Sequence, residues 1–422
     1  MPQCVMEMKC EPVRLEPFVH QVGGSSSVLR FDKHTICKPL IPREHHFYKT
    51  MPEDIKEFTP EYRGVIEVSF QEDSEGYANL VAYPINGAGS EKSTACMSSS
   101  ENSPEFTAHS DSDSEGNSGE HSQNKQRFRL KRSGSVEIIS EEEAVFEQVN
   151  PLSEDVDSAK FCHNPWSLRC HRLQLAKMKA RNSGPLKFIL LENLASHFKL
   201  PCILDLKMGT QQHGDDSSEE KRQQHMEKCL KSTSSSLGVR ICGMQVYQAN
   251  SGKFICHDKY YGRQLTVQGF YKTLYQFLHN GNYFRIDLID CIIERIEKLK
   301  QVLQHHNTFR FYSSSLLIMY DGSAYPVDND PSGSVHQSSD ADHAESEIST
   351  SRSENSSMAN NTQKDSVVDV RMIDFAHTTH KGFCRDDKLH QGPDKGYLFG
   401  LDNLIEAFHR LRSTDLPVYE IV

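Results

Sequence analysis

Apolar and polar residues alternate with a period of two over residues 15–40 and 62–84, the spacing of strands that bury one face. Gly23-Gly24 interrupts the first run and reads as a turn. Asn164-Pro165 then opens an amphipathic helix running to about Arg181, because Asn caps a helix well and Pro fits its first turn. Gly184-Pro185 ends that helix, and residues 186–191 form an apolar run of buried-strand length. Residues 216–231 return to the helical period, and 238–248 and 253–259 read as paired strands. Two long helices follow at about 265–280 and 285–304, then two strands at 309–320 and 367–375, and a last helix at 398–411. This order predicts an α+β chain in two lobes: an antiparallel-sheet first lobe over 1–192 and a mixed second lobe over 193–422.

Two stretches keep neither period. Residues 86–143 are rich in Ser, Glu, Asp and Gly, with Ser112 and Ser114 inside an acidic run, and 328–366 repeat that composition with Asn and His. Such segments bury too little apolar surface to offset chain entropy, so both are expected to be disordered inserts. The first ends in Arg127-Phe-Arg-Leu-Lys-Arg132, either a solvated linker or a nuclear address, followed by Ser133 and Ser135 as candidate phosphorylation sites.

Composition narrows the chemistry. A chain of 422 residues with only 36% hydrophobic residues suits two lobes plus unpacked inserts. A net charge of −11 argues against a general nucleic-acid binder, so an anionic ligand would need cations concentrated locally. The 12 cysteines form no C-x-x-C pair and the 21 histidines show no metal-site spacing. His305-His306 reads as a helix end. The first thirty residues hold no apolar core of signal-peptide length, and no apolar run reaches the roughly 18 residues of a membrane span. The expectation is a soluble protein of the cytosol or nucleus.

Candidate chemistry begins with Pro201-Cys-Ile-Leu-Asp-Leu-Lys-Met-Gly209, where Asp205 and Lys207 project from one side of a strand end. A carboxylate and an ammonium side by side suit nucleotide binding with phosphate steering; alone, they are equally a surface ion pair. Lys38, near the end of a buried strand, either reaches nucleotide phosphates or snorkels to the surface. Glu192, Asn193 and Leu194 follow a strand that leaves one lobe for the other, where unpaired backbone groups could bond the edge of an adenine ring. Asp374, after the apolar strand of Val370-Arg-Met-Ile-Asp-Phe-Ala376, either ligates Mg²⁺ on a triphosphate, like the Asp-Phe pair of protein kinases, or ends a strand. Lys221, His225 and Lys228 share one helix face, which a small polyanion would need and which also reads as a solvated charged face. Lys231 and Arg240 follow. No H-R-D catalytic loop and no G-x-x-x-x-G-K-[ST] loop occurs. The architecture is that of a two-lobed kinase which is neither a protein kinase nor a P-loop enzyme.

The string Pro201-x-x-x-Asp205-x-Lys207-x-Gly209 resembles the signature of the inositol polyphosphate kinase superfamily. Residues 15–24, 234–247, 259–263, 310–317 and 368–377 resemble its inositol hexakisphosphate kinase branch, and only the two inserts fall outside the likeness. One departure is Ser25, where the family usually has His after Gly-Gly. The resemblance implies that Glu192, Asn193 and Leu194 bind adenine, that Asp205 meets the ribose, and that Lys38 and Asp374 contact phosphate and Mg²⁺. It implies that Lys207 and the segment Lys221, Arg222, His225 and Lys228 contact the inositol phosphate. The implied reaction moves the γ-phosphoryl group of ATP to inositol hexakisphosphate in nucleus and cytoplasm. Two alternatives remain: a multikinase or 3-kinase-like enzyme that phosphorylates hydroxyls, and a non-catalytic inositol-phosphate scaffold with partners on its inserts.

Overall fold

The computed structural model describes residues 12–74, 76–84, 127–130, 136–139, 146–148, 164–181, 184–323, 367–381 and 388–413. Two sheets dominate it. The first sheet takes β1 (Val13–Pro17), β2 (Leu29–Arg30), β3 (Thr35–Pro39), β4 (Tyr62–Glu72) and β5 (Tyr77–Pro84), all paired antiparallel. Two short strands, β6 (Arg127–Leu130) and β7 (Val136–Ile139), form a hairpin on β5; β9 (Leu186–Glu192) lies between β3 and β4. A further pairing of β1 with β5 closes six of these strands into a ring. Alternate residues Leu15, Cys37, Ile66, Val68, Leu80 and Phe188 fill its interior, the burial that the period of two requires.

The β6–β7 hairpin corrects one expectation. Part of the 86–143 insert is ordered, because Phe128, Leu130, Val136, Ile138 and Ile139 interrupt its acidic composition with strand-forming residues. The rest of that insert and all of 328–366 lie outside the described residues.

The second sheet runs β15 (Val368–Ile373), β14 (Ser315–Asp321), β10 (Pro201–Met208), β11 (Val239–Gln248), β12 (Lys253–His257) and β8 (Phe146–Gln148). Only the β12–β8 pair is parallel, and β8 comes from the chain segment before β9. One face of this sheet packs Cys202, Leu204, Leu206, Leu316, Ile318 and Val370 against helices α7 (Val267–Phe277), α8 (Ile289–His305) and α9 (Lys395–Arg412). The other face looks toward the first sheet.

Shorter elements set the rim between the sheets. Helix α1 (Pro42–Thr50) starts at a proline and buries Glu44, Phe47 and Tyr48 on one face, and α2 (Glu53–Lys56) follows it. Helix α3 (Pro165–Arg181) packs on the first sheet, α4 (Glu219–Leu230) is capped by the Ser218 hydroxyl, and α5 (Thr233–Leu237) and α6 (Lys259–Gln264) flank β11. A small pair, β13 (Arg310–Tyr312) with β16 (His377–Thr379), lies beside α1. No helix among the described residues is long and apolar enough to cross a membrane.

Candidate active site

Strand β10 sits in the middle of the second sheet, so its register decides what the cleft receives. Cys202, Leu204, Leu206 and Met208 point to the helices; Ile203, Asp205 and Lys207 therefore point the other way. Opposite Asp205 the ladder slips: Asp205 pairs with Gly243 but Leu206 pairs with Ile241, leaving Cys242 as an extra residue in a bulge. Along the sheet, Lys207 pairs with Ser315 and Ser315 with Ile373. Asp374, the next residue, lies at the end of that row.

Asp374 leaves β15 with φ +65°, the left-handed region that costs a non-glycine residue on the order of 1 kcal/mol. There Lys38 Nζ of β3 donates to its Oδ1 at 2.7 Å. The same ammonium meets Glu44 Oε1 of α1 at 2.9 Å, and that oxygen accepts the Phe375 amide at 3.1 Å. Glu44 is fully buried, so Lys38 of β3 holds one carboxylate from α1 and one from the end of β15. Burial alone would pull the Lys38 ammonium down, but Asp374 and Glu44 more than reverse it and keep the lysine charged. Burial likewise pushes Asp374 up, and Lys38 and Lys207 outweigh it, leaving the carboxylate below its ordinary value.

Asp205 behaves differently. It is 2% exposed, and burial pushes its carboxyl up to about 6, opposed by Lys207 and reinforced by Asp374. Its Oδ1 has no hydrogen-bond partner. The Val22–Gly23 backbone covers it so closely that a methyl on Gly23 would overlap Oδ2, and a methyl on Gly243 would overlap the Val22 carbonyl. A buried, unpartnered carboxylate oxygen is suited to a donor brought by a ligand, such as a hydroxyl. Beside it Val22, Leu194, Ala195, Ile203 and Met319 form a small apolar cluster.

The segment after β9 differs from expectation in one respect. The Glu192 amide donates to the Glu61 carbonyl at 2.9 Å and the Asn193 amide to the His34 carbonyl at 2.8 Å, so neither is left for a ligand. Glu192 Oε2 accepts the Glu61 amide at 3.1 Å, and Asn193 caps the short turn Leu194–His197 through Ala195. Crossing between the sheets here uses these groups to fasten the chain to neighbouring loops.

Helix α4 brings Lys221, His225 and Lys228 to one face, and the electrostatics tie that face to the β10 end. Burial, then Lys228, Lys221, His213 and Arg240, pushes His225 down to about 4. Burial, then Lys221 against Asp216, with His225 and Lys207, pushes His377 to about 4 as well. Two neutral imidazoles among cations mark a concentration of positive charge in a chain of net charge −11. Arg222 lies off this face, beside Glu219 and His213, and Lys231 pairs with Glu227.

The pattern gives Glu44, Gly243 and His377 no role in the site, and it marks Gly23 only as part of a turn. Glu44 had a weak signal: it shares the i, i+3, i+4 stripe of Phe47 and Tyr48. Among the described residues no group of three His, Cys, Asp or Glu gathers to hold a metal by itself. Asp374, anionic and partly exposed, could supply one hard oxygen ligand to an ion otherwise held by phosphate oxygens. A separate cavity of about 250 Å³ lies at the start of α9, lined by Gly209, Arg310, Tyr312, Asp394 and Tyr397, away from the Asp205 carboxylate.

Comparison with known proteins gives three findings. The sequence pattern of the family described as inositol polyphosphate kinase matches residues 188–409. Human inositol hexakisphosphate kinase 1 is 45% identical over 417 residues, covering 95% of this chain and 94% of its own; human inositol hexakisphosphate kinase 3 is 41% identical over 410 residues, covering 95% and 96%. A solved structure of inositol phosphate multikinase Ipk2 from S. cerevisiae with ADP and Mn²⁺ is 24% identical, with a TM-score of 0.39 over 54% of this chain and 84% of that one. So loose a superposition adds nothing to the assignment.

Proposed function

This chain belongs to the inositol polyphosphate kinase family, and from that premise we propose that it transfers the γ-phosphoryl group of MgATP to a phosphate of inositol hexakisphosphate, forming diphosphoinositol pentakisphosphate. The supporting observation is the bridge from Lys38 to Asp374, which joins the two sheets within electrostatic reach of Lys207. In this reading the lobe over 1–192 handles the nucleotide and the lobe over 193–422 the acceptor. Lys38 meets the donor phosphates, and Asp205 offers its free oxygen to a ribose hydroxyl. The apolar cluster with Leu194 faces the base, and Asp374 would hold Mg²⁺. The amides of Glu192 and Asn193 have no part in it, since other backbone groups hold them.

The reaction suits these residues. An acceptor phosphate oxygen is already ionised at neutral pH, so no general base has to remove a proton. The obstacle is repulsion, about 1 kcal/mol for each pair of unit charges at about 4 Å even in bulk water. Lys207, Lys221, His225 and Lys228 are therefore assigned to charge and alignment, Lys207 at the phosphoryl being transferred. The bound metal would add charge neutralisation on the donor phosphates.

Incubation of the purified chain with MgATP and inositol hexakisphosphate, followed by chromatography of the products, tests this directly. A more anionic product with one diphosphate group is expected. A hydroxyl-directed multikinase would leave the substrate untouched, because it carries no free hydroxyl. Since donor and product both contain phosphoanhydrides, ATP should also form from the product at high ADP; its absence would count against the assignment.

A further inference from the structure

The chain contains a single tryptophan, Trp166, in the first turn of α3 and outside the family-matched segment. It is buried, and its indole Nε1 donates to the carbonyl oxygen of Gly23 at 3.1 Å. Gly23 is the residue whose Cα lies against the Asp205 carboxylate, and Gly24 after it turns with φ +83°. The same loop is gripped at several other points. The Asn164 amide donates to the Val19 carbonyl at 3.0 Å and the Ser167 hydroxyl to the Phe18 carbonyl at 2.7 Å. Gln21 Nε2 donates to the Gly23 carbonyl at 2.9 Å and to that of Ser26 at 2.8 Å. Trp166 and Gln21 thus use both lone pairs of the Gly23 oxygen. On the indole ring rest the charged ends of Lys259 and Arg169, 5.0 and 5.5 Å from its centroid.

We propose that Trp166 is a positioning residue for the nucleotide end of the site: its indole N–H fixes the Gly23–Gly24 turn as a roof over Asp205, and the roof sets how tightly the nucleotide is held. This rests on the reading of Asp205 as a nucleotide contact. A phenyl ring could fill most of the same space but could not donate. The specific loss is then one hydrogen bond at a carbonyl whose placement decides whether Asp205 is covered. A tryptophan that served packing alone would affect melting and leave nucleotide affinity where it was.

Two variants approach the roof from opposite sides. Trp166→Phe removes the donor, and Gly23→Ala forces a methyl against Asp205 without touching the indole. With ADP and Mg²⁺ as the probe in titration calorimetry, each should weaken binding on the order of tenfold, the worth of one hydrogen bond. In turnover assays KM for MgATP should rise more than kcat falls, and the double variant should add little to either single one. The lone indole also reports directly: its emission in the wild-type chain should shift on addition of ADP, and Gly23→Ala should abolish the shift. Wild-type ADP affinity in Trp166→Phe would overturn the proposal, even if the melting temperature dropped. Asp205→Asn separates the two levels. If it weakens ADP binding while Trp166→Phe does not, only the role of Trp166 fails; if it too binds like wild type, the reading of Asp205 itself fails.

Discussion

Two aspartates that feel the same lysine, Lys207, are shifted in opposite directions, and that contrast carries the residue-level predictions. Asp374 is kept anionic by Lys38, whereas at Asp205 burial outweighs Lys207 and pushes the carboxyl up to about 6. An acid raised in the folded state holds its proton more tightly folded than unfolded. Stability therefore falls as pH rises from the ordinary value near 4 to about 6, by about 3 kcal/mol in all. Asp205→Asn should remove that decline, so the variant melts higher than the wild type at pH 7 while binding nucleotide less well, which thermal unfolding across pH 4–7 would reveal. Lys207→Ala should lower turnover by about three orders of magnitude, as expected for lost stabilisation of developing charge, with ADP affinity largely retained. Asp374→Asn should raise KM for MgATP and lower kcat together, and a KM effect alone would argue against a role in the transition state.

At the scale of elements, helix α4 presents the acceptor with charge that depends on pH. His225 and His377 are neutral near neutrality because burial and neighbouring cations push both to about 4. A polyanion placed beside them reverses the cation effect, so binding near pH 6 should take up protons. Calorimetry in buffers of different ionisation enthalpy would detect this, and uptake should shrink in His225→Gln. Patterning made most of the elements legible. The period of two marked β4 and β5, strands were also read at β11 and β14, and the helical period marked α3, α4, α8 and α9. Helix α1 was missed because a charged residue, Glu44, occupies its buried stripe, and α6 is only six residues long. The β6–β7 hairpin lay inside a composition that argued for disorder. Asp205 and Lys207 were legible as partners because strand geometry alone puts them on one face. That Lys38 touches Asp374, 336 residues away, follows from long-range register, which no local pattern contains.

For the whole molecule, the two sheets are tied well beyond the site. The Met372 amide donates to the Phe58 carbonyl at 2.6 Å, Arg371 Nη1 to the Thr59 carbonyl at 3.0 Å, and the Phe375 ring stacks near Phe47 at 4.2 Å between centroids. Glu44 is the pivot, since one of its oxygens serves both Lys38 and the Phe375 amide. Glu44→Gln should therefore lower kcat/KM by about one to two orders of magnitude while the chain stays folded, through a misplaced Lys38 and Asp374. Deleting 86–126 together with 328–366 should leave turnover intact if catalysis resides in the described core, whereas a scaffold would lose its partners on that deletion. The deletion stops at 126 so that the β6–β7 hairpin keeps its place on β5.

The pairing of β1 with β5 has a practical outcome for anyone wishing to label this protein. Six strands rolled shut leave no fringe of their own for a foreign polypeptide to stick to, with β7 the one open border of that sheet among the described residues, and a fluorescent domain spliced near residue 100 lengthens only the connection from β5 to β6. Such a fusion should melt at the same temperature as the parent chain.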